Sequence, residues 1–150
     1  KRLRELNVRL LVAGEFYGSS DKYFELEKQL ELEGLIVWKN EFVPADDVRF
    51  CFGAADIIAQ PYKTATQSGV SQIAYHFGKP MLVTKVGGLA EIVPNGKAGY
   101  AVEPDPAQIA DGLVDFFKNK RLQQFTEGVM EEKKKYSWSK MTQAVKSIIG

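Results

Sequence analysis

The sequence predicts an α/β fold, built on an open, doubly wound parallel sheet of about five strands flanked by helices. Three observations carry the prediction. Five short apolar runs recur along the chain, each followed by a turn and then a helical pattern. The runs are nearly continuous and not alternating, which fits parallel strands covered on both faces. Strand signals stop after Asn119, so the remaining helices are an appendage to the sheet.

The elements follow in order. "VRLLVAG", from Val8 to Gly14, is the first strand, entered from what reads as a helix tail at "KRLRELN". A helical pattern runs from Asp21 to Leu32, and "LIVWK", from Leu35 to Lys39, is the second strand. Ala45 to Ala55 is helical and leads into "DIIAQP", the strand from Asp56 to Pro61. Ser68 to Phe77 is the third helix, "MLVTKV" from Met81 to Val86 the fourth strand, and Leu89 to Val93 a short helix. "GYAVEP", from Gly99 to Pro104, is the fifth strand, and Pro106 to Lys118 a further helix. Beyond Asn119 the chain is helical throughout, with Ser137 as the expected N-cap of the last segment. Strands alternating with helices make the sheet Rossmann-like, and residues 1–150 read as a single domain. A chain that opens on Lys1 inside a helix-to-strand pattern is expected to be cut from a larger protein.

Composition excludes several classes of function. With 45% hydrophobic and 26% charged residues, the chain is that of an ordinary globular domain. A formal net charge of +1 argues against a role in binding nucleic acid or a membrane surface by bulk charge. The run Lys133-Lys134-Lys135 follows Glu131-Glu132 and is expected to be a solvated helix end. The single cysteine, Cys51, forms no internal disulfide, fits a reducing compartment, and is expected to pack inside. No run is long enough to span a bilayer.

In open parallel sheets, ligands bind beyond the carboxyl ends of the strands. The loops leaving those ends are Gly14 to Ser20, Pro61 to Gln67 and Lys85 to Gly88, expected on one edge. In the middle loop, Thr66, Gln67 and Ser68 supply donors, and Gly69 lets backbone approach a ligand just before Val70 and Gln72 enter the helix. Two readings stand here. Ser68 is a plain N-cap with glycine beside it, or the helix start is an anion site. Gly87-Gly88 is a tight turn or a second approach point, with Glu91 facing the cleft from the helix that follows. Glu15 lies on the first loop. Asp56 is a strand-start or helix-end residue. "VAGEFYG" does not satisfy G-x-G-x-x-G, which disfavours a nicotinamide dehydrogenase. His76 lies in an apolar helical segment and is expected in the core. One His and one Cys leave no material for a zinc site or a Cys-His pair. The expectation is therefore no catalytic constellation, no metal and no cofactor in this chain.

The stretch from Ala54 to Pro106, "AADIIAQPYKTATQSGVSQIAYHFGKPMLVTKVGGLAEIVPNGKAGYAVEPDP", resembles the C-terminal domain of GT-B-fold retaining glycosyltransferases, the glycosyl transferases group 1 family. The resemblance lies in Ala55-Asp56, Pro61, Gly78 and Pro80, Gly87-Gly88 with Glu91 and Val93, Gly96 and Gly99, and Pro104-Asp105. "VPADDVRFCF" and "YSW", at Val43 to Phe52 and Tyr136 to Trp138, extend it over nearly the whole chain. It implies one half of a GT-B fold that binds a nucleotide-diphosphate sugar as donor substrate. The diphosphate would lie at Ser68-Gly69 and the sugar near Gly87-Gly88. The partner it implies is an N-terminal acceptor domain of the same protein, working in the cytoplasm with peripheral membrane association and polysaccharide synthesis as the setting.

The departures bear on the site. The two glutamates that the family carries around this loop fall on Ala65 and Ile73, and whether Gln67 or Gln72 substitutes is left open. The basic pair that the family places after the first strand of this domain is missing. "TQSG" is similar to a turn of UDP-sugar 2-epimerases, so an epimerase half is an alternative. A GT-B-like scaffold that has lost donor binding is another.

Overall fold

A computed structural model describes residues 2–136, so the expected Ser137 cap and the Ser137-Trp138 part of "YSW" lie outside the described residues. The chain divides into two compact units, residues 1–55 and 56–150.

The first unit pairs β1 (Leu10–Ala13) with β2 (Ile36–Lys39) in parallel, Leu10 opposite Ile36 and Ala13 opposite Lys39. Between them runs α1 (Asp21–Gln29), and α2 (Ala45–Ala54) follows β2. The expected helix tail at the start is a single 3-10 turn, Arg4–Leu6. An aromatic cluster fastens α1 to the strands. Phe16 stacks on Tyr23 with centroids 5.1 Å apart, and Phe24 meets Trp38 edge-on at 5.3 Å. Trp38 Nε1 donates to Glu27 Oε2 at 2.7 Å, which gives the indole its partner. The expectation that every strand is covered on both faces fails here. Leu10 is 50% and Leu11 40% exposed, because a two-stranded pair has no central strand to enclose.

The second unit holds the deeper core. β3 (Ile58–Gln60), β4 (Met81–Thr84) and β5 (Gly99–Val102) form a parallel sheet in that order. The five strands thus pair as two plus three. β4 lies in the middle and all four of its residues are buried, as its unbroken apolar run predicts. Two connecting helices, α3 (Gly69–His76) and α4 (Leu89–Ile92), link these strands in sequence. α5 (Pro106–Lys118) starts on Pro106 at its first turn, with Asp105 accepting from the Gln108 N–H at 3.0 Å. α6 (Leu122–Lys133) buries Phe125 and Val129, and Phe125 meets Tyr100 of β5 edge-on at 4.9 Å. Each such buried side chain contributes roughly 1.5–3 kcal/mol. Among the described residues, α5 and α6 therefore lie against the second unit's own sheet.

Several side chains depart from expectation. His76 is exposed at the end of α3, because the helix turns its ring out while Ala74 and Tyr75 turn in. Cys51 is half-buried and not enclosed. The lysine run is only partly a solvated end. Lys133 Nζ donates to the His76 carbonyl at 2.7 Å, and Lys135 pairs with Glu132. Glu132 is 2% exposed and also meets Lys97 at 3.0 Å, and these cations hold its carboxyl below the ordinary glutamate value of 4.5.

Candidate functional site

Parallel pairing puts the carboxyl ends of β3 and β4 on one edge of the second unit's sheet. The loop of residues 61–68 leaves β3 there and the loop of residues 85–88 leaves β4 there. Both lead into helices, so two helix starts face the same edge.

The two loops are bonded to each other. The Gly88 N–H donates to the Thr66 carbonyl at 3.2 Å. Gly87 has φ +52°, and a Cβ there would collide with the Ala65 carbonyl. Only glycine meets both demands, the left-handed backbone and the close approach. Thr84, the last residue of β4, ties the base of the loop by donating from Oγ1 to the Tyr62 carbonyl at 2.6 Å.

Ser68 takes the N-cap position of α3 with extended backbone, φ −137° and ψ 121°. Its side chain makes no capping bond to the helix, and its hydroxyl lies 3.4 Å from that of Tyr62. The contrast with α5 is direct, since Asp105 caps that helix through its carboxylate. Gly69 has ordinary backbone and open space where a Cβ would stand, so neither strain nor crowding demands glycine there. The start of α3 is thus an uncapped turn with room above it, where N–H groups and the helix dipole favour an anion.

Of the residues singled out in the sequence, Thr66, Gln67, Ser68, Gly69, Val70, Gln72, Gly87, Gly88 and Glu91 belong to these two loops and their helices. Thr66, Gln67, Gln72 and Glu91 are exposed, and Ser68 is buried. Gly14 and Glu15 leave the carboxyl end of β1, in the first unit. Asp56 lies between α2 and β3, an exposed boundary residue as expected. Ala65 offers the site only its backbone, and Ile73 is an exposed aliphatic side chain on α3. Gln60, Tyr62 and Thr84 escaped the sequence reading. Gln60 and Thr84 are polar residues that close otherwise apolar strands just before loops, and that pattern is the signal that could have found them. Among the described residues, no helix is long and apolar enough to cross a membrane.

Curated proteins of similar sequence are about three times as long or more. The chain is 28% identical to the D-inositol 3-phosphate glycosyltransferase of Paenarthrobacter aurescens over 120 residues, 78% of this chain and 29% of that protein. It is 28% identical to the glycogen synthase of Thermus thermophilus over 151 aligned positions, 98% of this chain and 33% of the relative. The chain therefore spans about a third of the length of these relatives. Among solved structures, a sucrose-phosphate synthase from Thermosynechococcus elongatus superposes with a TM-score of 0.77 at 18% identity, over 94% of this chain and 38% of that one. Anabaena HepE, solved in complex with UDP, gives 0.75 at 20% identity, over 95% of this chain and 40% of that one. At such identities these structures speak for the fold, which is the one the sequence predicted. A family profile described as "Glycosyl transferases group 1" matches residues 1–119. That match spans well over half of the 150 residues, and the chain belongs to the glycosyl transferases group 1 family.

Proposed function

We propose that this chain is the donor-binding part of a glycosyltransferase that moves a sugar from a nucleotide-diphosphate sugar to an acceptor hydroxyl. The observation that carries the reading is the open start of α3, where Ser68 leaves the first turn uncapped and Gly69 leaves space above it. A diphosphate suits that place. It brings negative charge to the positive helix end and acceptor oxygens to N–H groups that lack a side-chain cap. Thr66 and Gln67 stand exposed beside it as further donors.

In the transfer step the bond from the sugar's anomeric carbon to the diphosphate breaks, and a bond to the acceptor oxygen forms. The acceptor hydroxyl gives up its proton, and the nucleoside diphosphate leaves carrying the bonding electron pair. Charge therefore grows on the phosphate as the bond lengthens, and a fixed N–H cradle stabilises it more in the transition state than in the ground state. Gly87-Gly88 would face the sugar, with Glu91 on the next helix, and Gln67 or Gln72 would take hydroxyls that the family's glutamates hold.

The acceptor site and the remainder of the diphosphate clamp would come from the rest of a longer protein, in keeping with the length of the relatives. A nucleotide-sugar donor and an unpaired Cys51 both suit the cytoplasm, with polysaccharide synthesis at the inner face of a membrane as the setting. The relatives named above are transferases and synthases, which favours transfer over epimerisation. Calorimetric titration with UDP, GDP and ADP tests the reading. One of them is expected to bind, and Gly69→Asp, which sets a carboxylate on the helix start, is expected to abolish it. Silence toward all three, in this chain and in a longer protein that contains it, sinks it.

A further inference from the structure

Buried polar side chains are few in the second unit, and four of them gather beneath one helix end. Gln60, Ser68, Ser71 and Thr84 are all buried. Ser71 Oγ donates to Gln60 Oε1 at 3.1 Å, while Ser68 and Thr84 meet at Tyr62, one at its hydroxyl and the other at its carbonyl. A floor of this kind incurs a desolvation cost that leucine or valine in the same places would not. Its polarity needs a reason.

One atom of the floor is unfinished. Gln60 closes β3 and is 1% exposed, with its Oε1 occupied by Ser71. Its Nε2 has no hydrogen-bond partner and is, among the described residues, the one buried side-chain nitrogen or oxygen so left. Ser71 is the third residue of α3, so the carboxamide is anchored to the first turn of that helix. Oε1 and Nε2 share a carbon, so the idle donor stays close to the oxygen that Ser71 of α3 holds. Native structures rarely leave a buried donor without a partner, and strain, a functional role, or a water or ion from outside the chain accounts for those that stay so. Here the turn beside it is uncapped, and the space over Gly69 is open.

We propose that Gln60 is a recognition residue for the donor diphosphate: its Oε1 fixes the first turn of α3 through Ser71, and its Nε2–H donates to a phosphate oxygen seated on that turn. The inference rests on the donor-binding reading above. A diphosphate fits the chemistry because it offers acceptors only. It also has oxygens enough for one to face the floor while others meet the N–H groups of Gly69 and Val70.

The test is calorimetric titration of UDP, GDP and ADP into the wild type, Gln60→Glu and Gln60→Leu, each beside uridine, guanosine or adenosine. Thermal melts without ligand accompany it. Gln60→Glu keeps the shape and the acceptor for Ser71 but replaces the donor with a carboxylate oxygen. It is expected to bind the diphosphate at least about tenfold more weakly, while affinity for the nucleoside stays close to the wild type and the melting temperature falls, because a carboxylate at so buried a position is costly to desolvate. Gln60→Leu is expected to weaken diphosphate binding less, since it removes the donor without adding charge. Equal diphosphate binding by the wild type and both variants overturns the role of Gln60 and leaves the donor reading standing. Parallel losses for nucleoside and diphosphate reduce Gln60 to a structural residue and overturn it too. A wild type that binds none of the three, in this chain and in a longer protein that contains it, brings down both readings together.

Discussion

The Gly88 N–H reaches the Thr66 carbonyl across 3.2 Å, and that bond joins the two loops that leave β3 and β4. Residues 22 positions apart thereby become one surface. The positive φ of Gly87 and its closeness to the Ala65 carbonyl are what let the two backbones meet.

Gly87→Ala is expected to destabilise the protein by about 2 kcal/mol or more, since a Cβ meets both strain and a backbone carbonyl. Gly88→Ala, whose Cβ would stand 3.4 Å from the Thr66 carbonyl, should cost well under half of that. Paired denaturant melts decide it, and equal losses would mean that the loops can part without penalty.

Gly69→Ala should leave stability within about 0.5 kcal/mol, because alanine suits a helix and the space is open. Binding of the nucleoside diphosphate should nonetheless weaken severalfold, as the methyl group intrudes on the approach. A variant that loses stability and affinity in step would show that the glycine serves the fold.

Phe125→Ala should destabilise by about 3–5 kcal/mol, in line with deletion of an enclosed aromatic ring. Phe125 packs against Tyr100 and Phe116, so its removal opens a hole between α6, β5 and α5. A loss under 1 kcal/mol would mean that α6 contributes little to the second unit.

Stability should fall in acid partly through Glu132. Its carboxyl is held below the ordinary value of 4.5, first by the hydrogen bond from Lys135 and then by that from Lys97. The sign follows from a depressed native pKa. The contribution is present above the unfolded value, near 4.5, and drains away as pH falls through the native one. Glu132→Gln should lower the melting temperature at pH 7 by a few degrees and flatten its decline below about pH 5. Parallel wild-type and variant profiles would remove Glu132 from the account.

Most of the secondary structure was legible because glycine and proline punctuate short apolar runs, as at Pro61, Gly78-Lys79-Pro80 and Pro104. The division of strands into pairs of two and three was not, since pairing depends on tertiary register that no local pattern encodes. His76 was misread because its neighbours Tyr75 and Phe77 are apolar, while a one-residue step on a helix turns the side chain by about 100°. At the site, the two glycine loops announced themselves, and Ser68 gave its position but not its failure to cap. The floor made by Gln60, Tyr62 and Thr84 stayed hidden, because strand-end polar residues look like loop entries until the sheet brings them side by side.

The ammonium of Lys133 rests on the His76 carbonyl, at the opposite end of α3 from Gly69. That helix is thus braced at its rear by a residue more than fifty positions further along the chain. Its aim is set from behind, in the way a gun is laid by its mount and not at its muzzle. A protein shortened ahead of α6 would retain every group proposed to touch the donor and lose the bracing that points them.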